Sequence, residues 1–237
     1  MNILITGANG FLGKHFKEHY SNKEHKVFLM GRQHLDITDG KAVDEFFKNN
    51  HVDIVLHTAI KGGTRQDSDT FSELVENILM FRNLCNNSDQ FKLMINFGSG
   101  AEFDRSRMIS TAKEGEIYNR LPADYYGQAK NLITREINKL ENVINLRLFG
   151  CFGHHENKSR MIKGNILKAI MGDELIVHQD KIMDFFYVKD LCKIIDESAG
   201  NDYFGCPNRL LSLGIDFIGL DKAIQEMYEI FYNEQKV

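Results

Sequence analysis

The sequence predicts a doubly wound parallel α/β sheet followed by a small appended region, and three observations predict it. The chain opens MNILITGANGFLG, an apolar run that breaks at Thr6 into Gly7, Gly10 and Gly13. Five strand-like runs alternate with helical patterns as far as Leu148, and such alternation argues for parallel strands with helices on both faces. Beyond Leu148 the pattern turns irregular.

Taken in order, Ile3, Leu4 and Ile5 suit a buried first strand over Asn2 to Thr6. Gly7 permits a tight turn, Gly10 lets the backbone approach a pyrophosphate, and Gly13 lets the next helix pack closely on the strand. That helix begins near Phe11 and points its free amides and positive dipole end at the same place. Gly7, Asn9, Gly10, Phe11, Leu12 and Gly13 are therefore candidate cofactor-binding residues. Further strands are expected over Lys26 to Met30, Val52 to His57, Phe91 to Phe97 and Val143 to Leu148. Phe71, Leu74, Val75, Ile78, Leu79 and the run Phe81 to Leu84 recur at helical spacing, which predicts a long helix against the sheet, with Met80 and Phe81 in its core. The second part reads as a helix over Met161 to Met171, short strands at Leu175 to Val177 and Asp184 to Val188, and a last helix over Asp221 to Phe231. We divide the chain into a dinucleotide-binding domain over 1–150, to which 184–200 returns, and a small substrate-binding region formed by 151–183 and 201–237.

Composition narrows the function classes. With 237 residues, 43% hydrophobic and 26% charged, the chain can bury a real core. A net charge of −4 without a basic cluster gives no reason to expect nucleic acid or an anionic membrane. No apolar run approaches the roughly 20 residues that cross a bilayer, and the immediate first strand leaves no room for a signal peptide, so the cytoplasm is the expected location. Cys85, Cys151, Cys192 and Cys206 form no CxxC pair and are read as reduced packing residues. His154 and His155 are adjacent, a poor arrangement for one metal on regular structure, and no metal is assigned.

The chemistry-bearing residues lie in the second half of the sheet. Tyr126 and Lys130 stand in YGQAK, and Ser99 ends the strand-four sequence NFGSG. Residues four apart share a helix face, so Lys130 is expected to lower the Tyr126 phenol from about 10 toward neutrality. A phenol so tuned exchanges a proton with a carbonyl or alcohol, and Ser99 can hydrogen-bond the same oxygen. At the end of the second strand, VFLMGR places Gly31 where an acid would select NAD and Arg32 beside it, where an arginine accepts a 2′-phosphate. NADP(H) is the preferred cofactor, with NAD(H) the alternative.

Together these motifs resemble the extended short-chain dehydrogenase/reductase family of nucleotide-sugar epimerases, dehydratases and reductases. The likeness is carried by TGANGFLG at 6–13, LDITD at 35–39, His57-Thr58-Ala59, Asn77, Ser99, YGQAK at 126–130, RLFGCFG at 147–153 and DFFYVKDL at 184–191. It implies a Rossmann domain, a bound nicotinamide dinucleotide, a C-terminal domain gripping a nucleoside diphosphate sugar, and a homodimer. By the same resemblance Asp36 and Ile37 fall near the adenine, and His57, Thr58, Ala59, Asn77, Tyr126 and Lys130 join the cofactor-binding residues. Ser99, Tyr126 and Lys130 are the catalytic candidates.

Departures from the pattern sharpen the reading. The family's dehydratases carry Asp and Glu after the strand-four serine or threonine, where this chain has Gly100 and Ala101, which argues against dehydration. HTAIKGG at 57–63 and GHHEN at 153–157 look most like the GDP-fucose synthases. Their epimerising cysteine and histidine are here Ala101 and, by approximate alignment, Arg160, so reduction is the activity expected to survive. Met183 stands where relatives have a diphosphate-binding arginine; Arg160, Lys163 or Lys158 can supply that charge, and with Lys61 the first two are the substrate-binding candidates. Gly150 replaces a frequent asparagine, and the chain is short for the family, with losses expected after Tyr203. The leading expectation is an NADPH-dependent reductase of a 4-keto nucleotide sugar in surface polysaccharide synthesis. The alternatives are an epimerase that retains NAD(H) and an inactive dinucleotide-binding relative.

Overall fold

The structure, a computed structural model, describes residues 1–63, 69–106, 112–176, 183–200 and 215–236. It falls into two compact units, Met1–Leu148 and Phe149–Val237.

In the first unit β1 (Asn2–Thr6), β2 (Lys26–Met30), β3 (Ile54–His57), β4 (Leu93–Ser99) and β5 (Val143–Leu148) form one sheet of order β2-β1-β3-β4-β5, and every pairing is parallel. The order reverses between β1 and β3, and a crevice opens at the carboxyl ends of the strands at such a switch point. Register brings Thr6 beside His57 there, and Ser99 beside Leu148 at the end of β4.

Strand alternation separates two faces. Leu4, Val55 and Met94 point to one, where they share a core with Val43 and Phe47 of α2 (Gly40–Asn49), Met80, Phe81 and Leu84 of α3 (Phe71–Cys85), and Ile133 and Ile137 of α4 (Tyr125–Ile137). Ile3, Ile5 and Phe97 point to the other, where Phe16 of α1 (Phe11–Tyr20) meets Phe97 with ring centres 5.3 Å apart. Met80 and Phe81 are core residues, as expected. Helix starts follow local chemistry. The Asp39 carboxylate accepts from the amides of Lys41 and Ala42, Thr70 and Glu73 form a reciprocal capping box, and Asp124 accepts from the Gly127 amide. By contrast, α1 is capped by Gly10 with no side-chain hydrogen bond.

The second unit contains β6 (Cys151–Phe152) paired in parallel with β7 (Phe186–Tyr187), together with α5 (Met161–Met171), α6 (Val188–Gly200) and α7 (Leu220–Glu234). Residues 184–200, which the sequence reading returns to the first domain, are grouped here, because Phe186 and Tyr187 pair with Cys151 and Phe152. Two short elements differ from expectation. Leu175 and Ile176 are exposed and form no strand, with no strand paired to them among the described residues, and Val177 lies outside the described residues. The strand expected over Asp184 to Val188 is only Phe186–Tyr187, and Val188 already begins α6. Gly150 has a packing reason: a Cβ there would lie 2.5 Å from the Asp184 carbonyl oxygen, so an asparagine could not occupy this backbone. Cys85, Cys151 and Cys192 are unbridged, and Cys206 lies outside the described residues, as do 204–214, the first part of the region after Tyr203 expected to be reduced.

Candidate active site

At the switch point the glycine turn is built for close approach. Gly7 has φ +64°, and a Cβ on it would lie 2.7 Å from the backbone N and Cα of Ala59. A Cβ on Gly13 would lie 2.3 Å from the Gly7 carbonyl, whereas one on Gly10 would meet that oxygen at 3.2 Å. The Gly10 amide donates to Gly7 O at 2.8 Å, closing the turn, and the uncapped start of α1 leaves the next amides for an anionic ligand. Asn9 and Gly10 are exposed there. These residues fit the pyrophosphate of a nicotinamide dinucleotide.

The His57-Thr58-Ala59 segment is fastened across the switch. Thr58 Oγ1 donates to Thr6 O at 2.6 Å, the Ala59 amide donates to Thr6 Oγ1 at 3.3 Å, and Thr6 Oγ1 lies 2.9 Å from His57 Nδ1. His57 is buried, and burial followed by the Lys130 charge pushes its imidazole down to about 3, so it is neutral. Asn77, buried on α3, receives the Lys61 amide on Oδ1 and donates Nδ2 to Lys61 O, each at 2.9 Å. Both ends of its amide are thus spent on holding the loop after β3.

At the end of β2, the Arg32 guanidinium lies 3.3 Å from Asp36 and 3.0 Å from Glu76. Asp36 Oδ1 also accepts from the amide and hydroxyl of Thr38, which hold its carboxyl below the usual range. Glu76 in addition pairs with Lys61 and accepts from Ser72. Ile37 is buried in the core beneath this loop. Arg32 is thus presented at the surface by two carboxylates, with a third partner, Lys61, tied to one of them.

Ser99, Tyr126 and Lys130 come together where β4 meets α4. Ser99 Oγ accepts from the Ala101 amide at 3.1 Å and lies near enough to the Tyr126 hydroxyl to pull its pKa down. Lys130 Nζ donates to Phe97 O at 2.6 Å and lies 5.9 Å from the centre of the Tyr126 ring. Burial depresses the Lys130 ammonium to about 8, the Glu102 carboxylate opposing the fall. The expectation that Lys130 draws the Tyr126 phenol toward neutrality is corrected. Burial is the largest influence and holds the phenol above its ordinary value, with the Ser99 hydroxyl only partly offsetting it, so Tyr126 is a protonated donor. Gly63 closes the site from the loop after β3: its φ is +75°, and a Cβ there would lie 2.6 Å from the Tyr126 ring.

Among the substrate-binding candidates, the Lys61 ammonium is paired with Glu76. In the second unit, Lys163 Nζ donates to His154 O at 2.5 Å and sits 4.6 Å above the Phe231 ring, while Arg160 lies 3.9 Å from Glu156. Sequence reasoning missed Glu102, Asn145 and Gly63. A wholly buried carboxylate three residues after Ser99 was legible only as the reciprocal Ser-x-x-Glu capping pattern.

A parallel sheet with a glycine-turn crevice at its switch point and a Ser-Tyr-Lys cluster at the end of the fourth strand defines an NAD(P)-dependent oxidoreductase. The chain belongs to the NAD dependent epimerase/dehydratase family, whose model matches residues 3–214. A relative from Yersinia pseudotuberculosis, named GDP-L-colitose synthase, is 24% identical over 97% of this chain and 80% of its own length. Among solved structures, a Campylobacter jejuni GDP-mannoheptose C4 reductase with NADP bound is 19% identical and superposes with a TM-score of 0.80, covering 97% of this chain and 98% of that one. A Naegleria fowleri GDP-L-fucose synthetase bound to NADP gives 17% and 0.74, covering 100% and 95%. A dTDP-glucose 4,6-dehydratase from Bacillus anthracis in complex with NAD gives 13% and 0.72, covering 100% and 98%. Among the described residues no helix is long and apolar enough to cross a membrane.

Proposed function

We propose that this protein is an NADPH-dependent reductase of a keto group, at C4, on a nucleoside diphosphate sugar, serving surface polysaccharide synthesis in the cytoplasm. The observation that carries this reading is the state of Tyr126: a phenol kept protonated by burial, beside Ser99, on a helix whose Lys130 is anchored to the end of the neighbouring strand. The relative and neighbours whose names specify GDP-sugar synthases and a C4 reductase support the substrate class. NADPH, when bound, supplies the hydride.

The remaining steps belong to the chain. The Ser99 hydroxyl, its oxygen already accepting from Ala101, turns from the phenol to donate to the carbonyl oxygen and fix its direction. Tyr126 delivers the proton to that oxygen as negative charge develops on it. Lys130 keeps positive charge beside the phenolate that results and offers its remaining N–H donors toward the nicotinamide ribose. Arg32 answers the 2′-phosphate, trading Asp36 and Glu76 for a dianion. Lys61, Arg160 and Lys163 remain our candidates for the sugar nucleotide, and 1–150 with 184–200 for the cofactor-binding part.

Homodimerisation through α3 and α4 is part of the proposal. Phe71, Val75 and Leu79 of α3 and Tyr125 and Leu132 of α4 are exposed, and Phe71 meets Tyr125 edge-on with ring centres 5.9 Å apart. Residues spaced by four lie on one helix face, so this is a continuous apolar stripe that a second copy would cover.

The test is the nicotinamide absorbance of NADPH mixed with the protein and a freshly generated GDP-4-keto-6-deoxy sugar. We expect stoichiometric loss that needs the sugar and disappears in Tyr126→Phe. Equal turnover in that variant refutes Tyr126 as proton donor. Interconversion of sugar epimers without net NADPH loss indicates the retained-cofactor epimerase instead.

A further inference from the structure

We infer that Glu102 is the positioning residue of this site: its buried carboxylate sets Ser99 and, through the turn that it closes, aligns the helix carrying Tyr126 and Lys130. What Ser99 does rests on the reductase reading above; how it is held rests on geometry.

Glu102 is wholly buried in the single helical turn Gly100–Glu102 that follows β4. Its Oε1 accepts from the Ser99 amide at 2.9 Å and from Asn145 Nδ2 at 3.0 Å, and its Oε2 accepts from Arg147 Nε at 2.6 Å. Asn145 is itself tied to Asn96 Nδ2 at 2.7 Å and Thr134 Oγ1 at 2.9 Å, so the carboxylate is fixed to both β5 and α4. The chain has made room for it, since a Cβ on Gly98 would lie 2.1 Å from Glu102 Oε1.

The same turn is docked on the catalytic helix. Asn131 Nδ2 donates to Glu102 O at 2.8 Å, and a Cβ on Gly127 would lie 2.7 Å from Ala101 O. Asn131 and Gly127 flank Lys130 and Tyr126 in sequence, so the separation of Ser99 from the phenol is set by this contact. A surface turn would leave Ser99 free to swing. A charge-assisted acceptor in a buried site holds it within the narrow tolerance that bond-making geometry demands. The side chain accepts from three donors, so losing its acceptor oxygens would strand all three.

The test uses the full chain with Glu102→Gln, which sets an amide donor against Arg147, and with Glu102→Met/Arg147→Met, which removes the acceptor without stranding a buried guanidinium. Each is also combined with Ser99→Ala. Hydrogen exchange over 99–103 should quicken by about 10-fold or more in the paired variant, as expected for an amide that has lost its acceptor. With NADPH and a GDP-4-keto-6-deoxy sugar, kcat should fall about 10- to 100-fold in both variants, while NADPH binding by fluorescence stays within about threefold. Adding Ser99→Ala should cost clearly less than the same change costs in the wild type, because Glu102 acts in large part through that hydroxyl. Unchanged exchange, unchanged kcat, losses that multiply with Ser99→Ala, or a parallel loss of NADPH binding each overturn the inference. A wild-type chain that binds NADPH but does not turn over refutes the reductase reading instead, and the exchange result still decides whether Glu102 holds Ser99.

Discussion

Acid should weaken this fold through one imidazole. His57 is 4% exposed at the end of β3, 2.9 Å from Thr6 Oγ1 and under the Lys130 charge, and its pKa is pushed down to about 3. The unfolded chain takes up a proton near 6.5 that the folded chain refuses until about 3. Stability tied to neutral His57 is therefore complete above pH 6.5 and is withdrawn as pH falls through that interval. At about 1.4 kcal/mol per pH unit, the loss is about 2 kcal/mol by pH 5. For a chain of this size that corresponds to roughly 4 to 8 °C in Tm. The assay is thermal unfolding by circular dichroism at pH 7.5 and pH 5 for the wild type and for His57→Asn, whose amide can still meet Thr6. The variant starts lower but should lose 4 to 8 °C less on acidification, roughly the worked difference, since all other titrating groups cancel in the comparison. Parallel losses in the two proteins, or a His57 ring that titrates near 6.5 by NMR, would refute the reasoning.

Three further outcomes follow from the same geometry. Gly13→Ala puts a Cβ 2.3 Å from a backbone oxygen and should weaken NADPH binding by about 100-fold or more, whereas Gly10→Ala, at 3.2 Å, should be several times milder; fluorescence titration ranks them. Arg32→Ala should weaken NADPH by about 10- to 100-fold, the worth of a charge-assisted pair, and leave NADH nearly unchanged; titration with both cofactors checks it, and an equal effect on the two would remove Arg32 from 2′-phosphate recognition. Val75→Arg, in the exposed α3 stripe, should convert a dimer to monomer by light scattering without lowering Tm, while an unchanged mass would move the interface elsewhere.

What was legible in the sequence follows from the range of the forces involved. The alternation of Leu4 with Ile3 and Ile5, and the helical spacing of Leu74, Phe81 and Leu84, are local records of burial, and the five strands and long helices sit where those patterns put them. The glycine turn was legible because each of its glycines meets backbone only a few residues away or across one strand pair. Leu175–Ile176 misled because an apolar pair carries no information about whether a partner strand exists. At the site, residue identities were visible but their electrostatics were not. Spacing puts Lys130 near Tyr126, yet only the three-dimensional burial of both shows that desolvation governs the phenol and that the ammonium gives one of its donors to Phe97 O. Glu102 was hidden for a like reason: its partners Asn145 and Arg147 lie more than forty residues away, and the local Ser-x-x-Glu capping pattern does not say that the acid is buried.

The double hydrogen bond from Asn77 to Lys61 makes the loop after β3 a passenger of α3. Two residues past that clasp, Gly63 lies against the Tyr126 ring. Any force that shifts or steadies α3 is therefore passed, over one short stretch of chain, to the wall of the reaction chamber. On the proposed pairing of two copies through α3, the helix pressed from outside would keep that wall still, and catalytic precision would then rise with protein concentration.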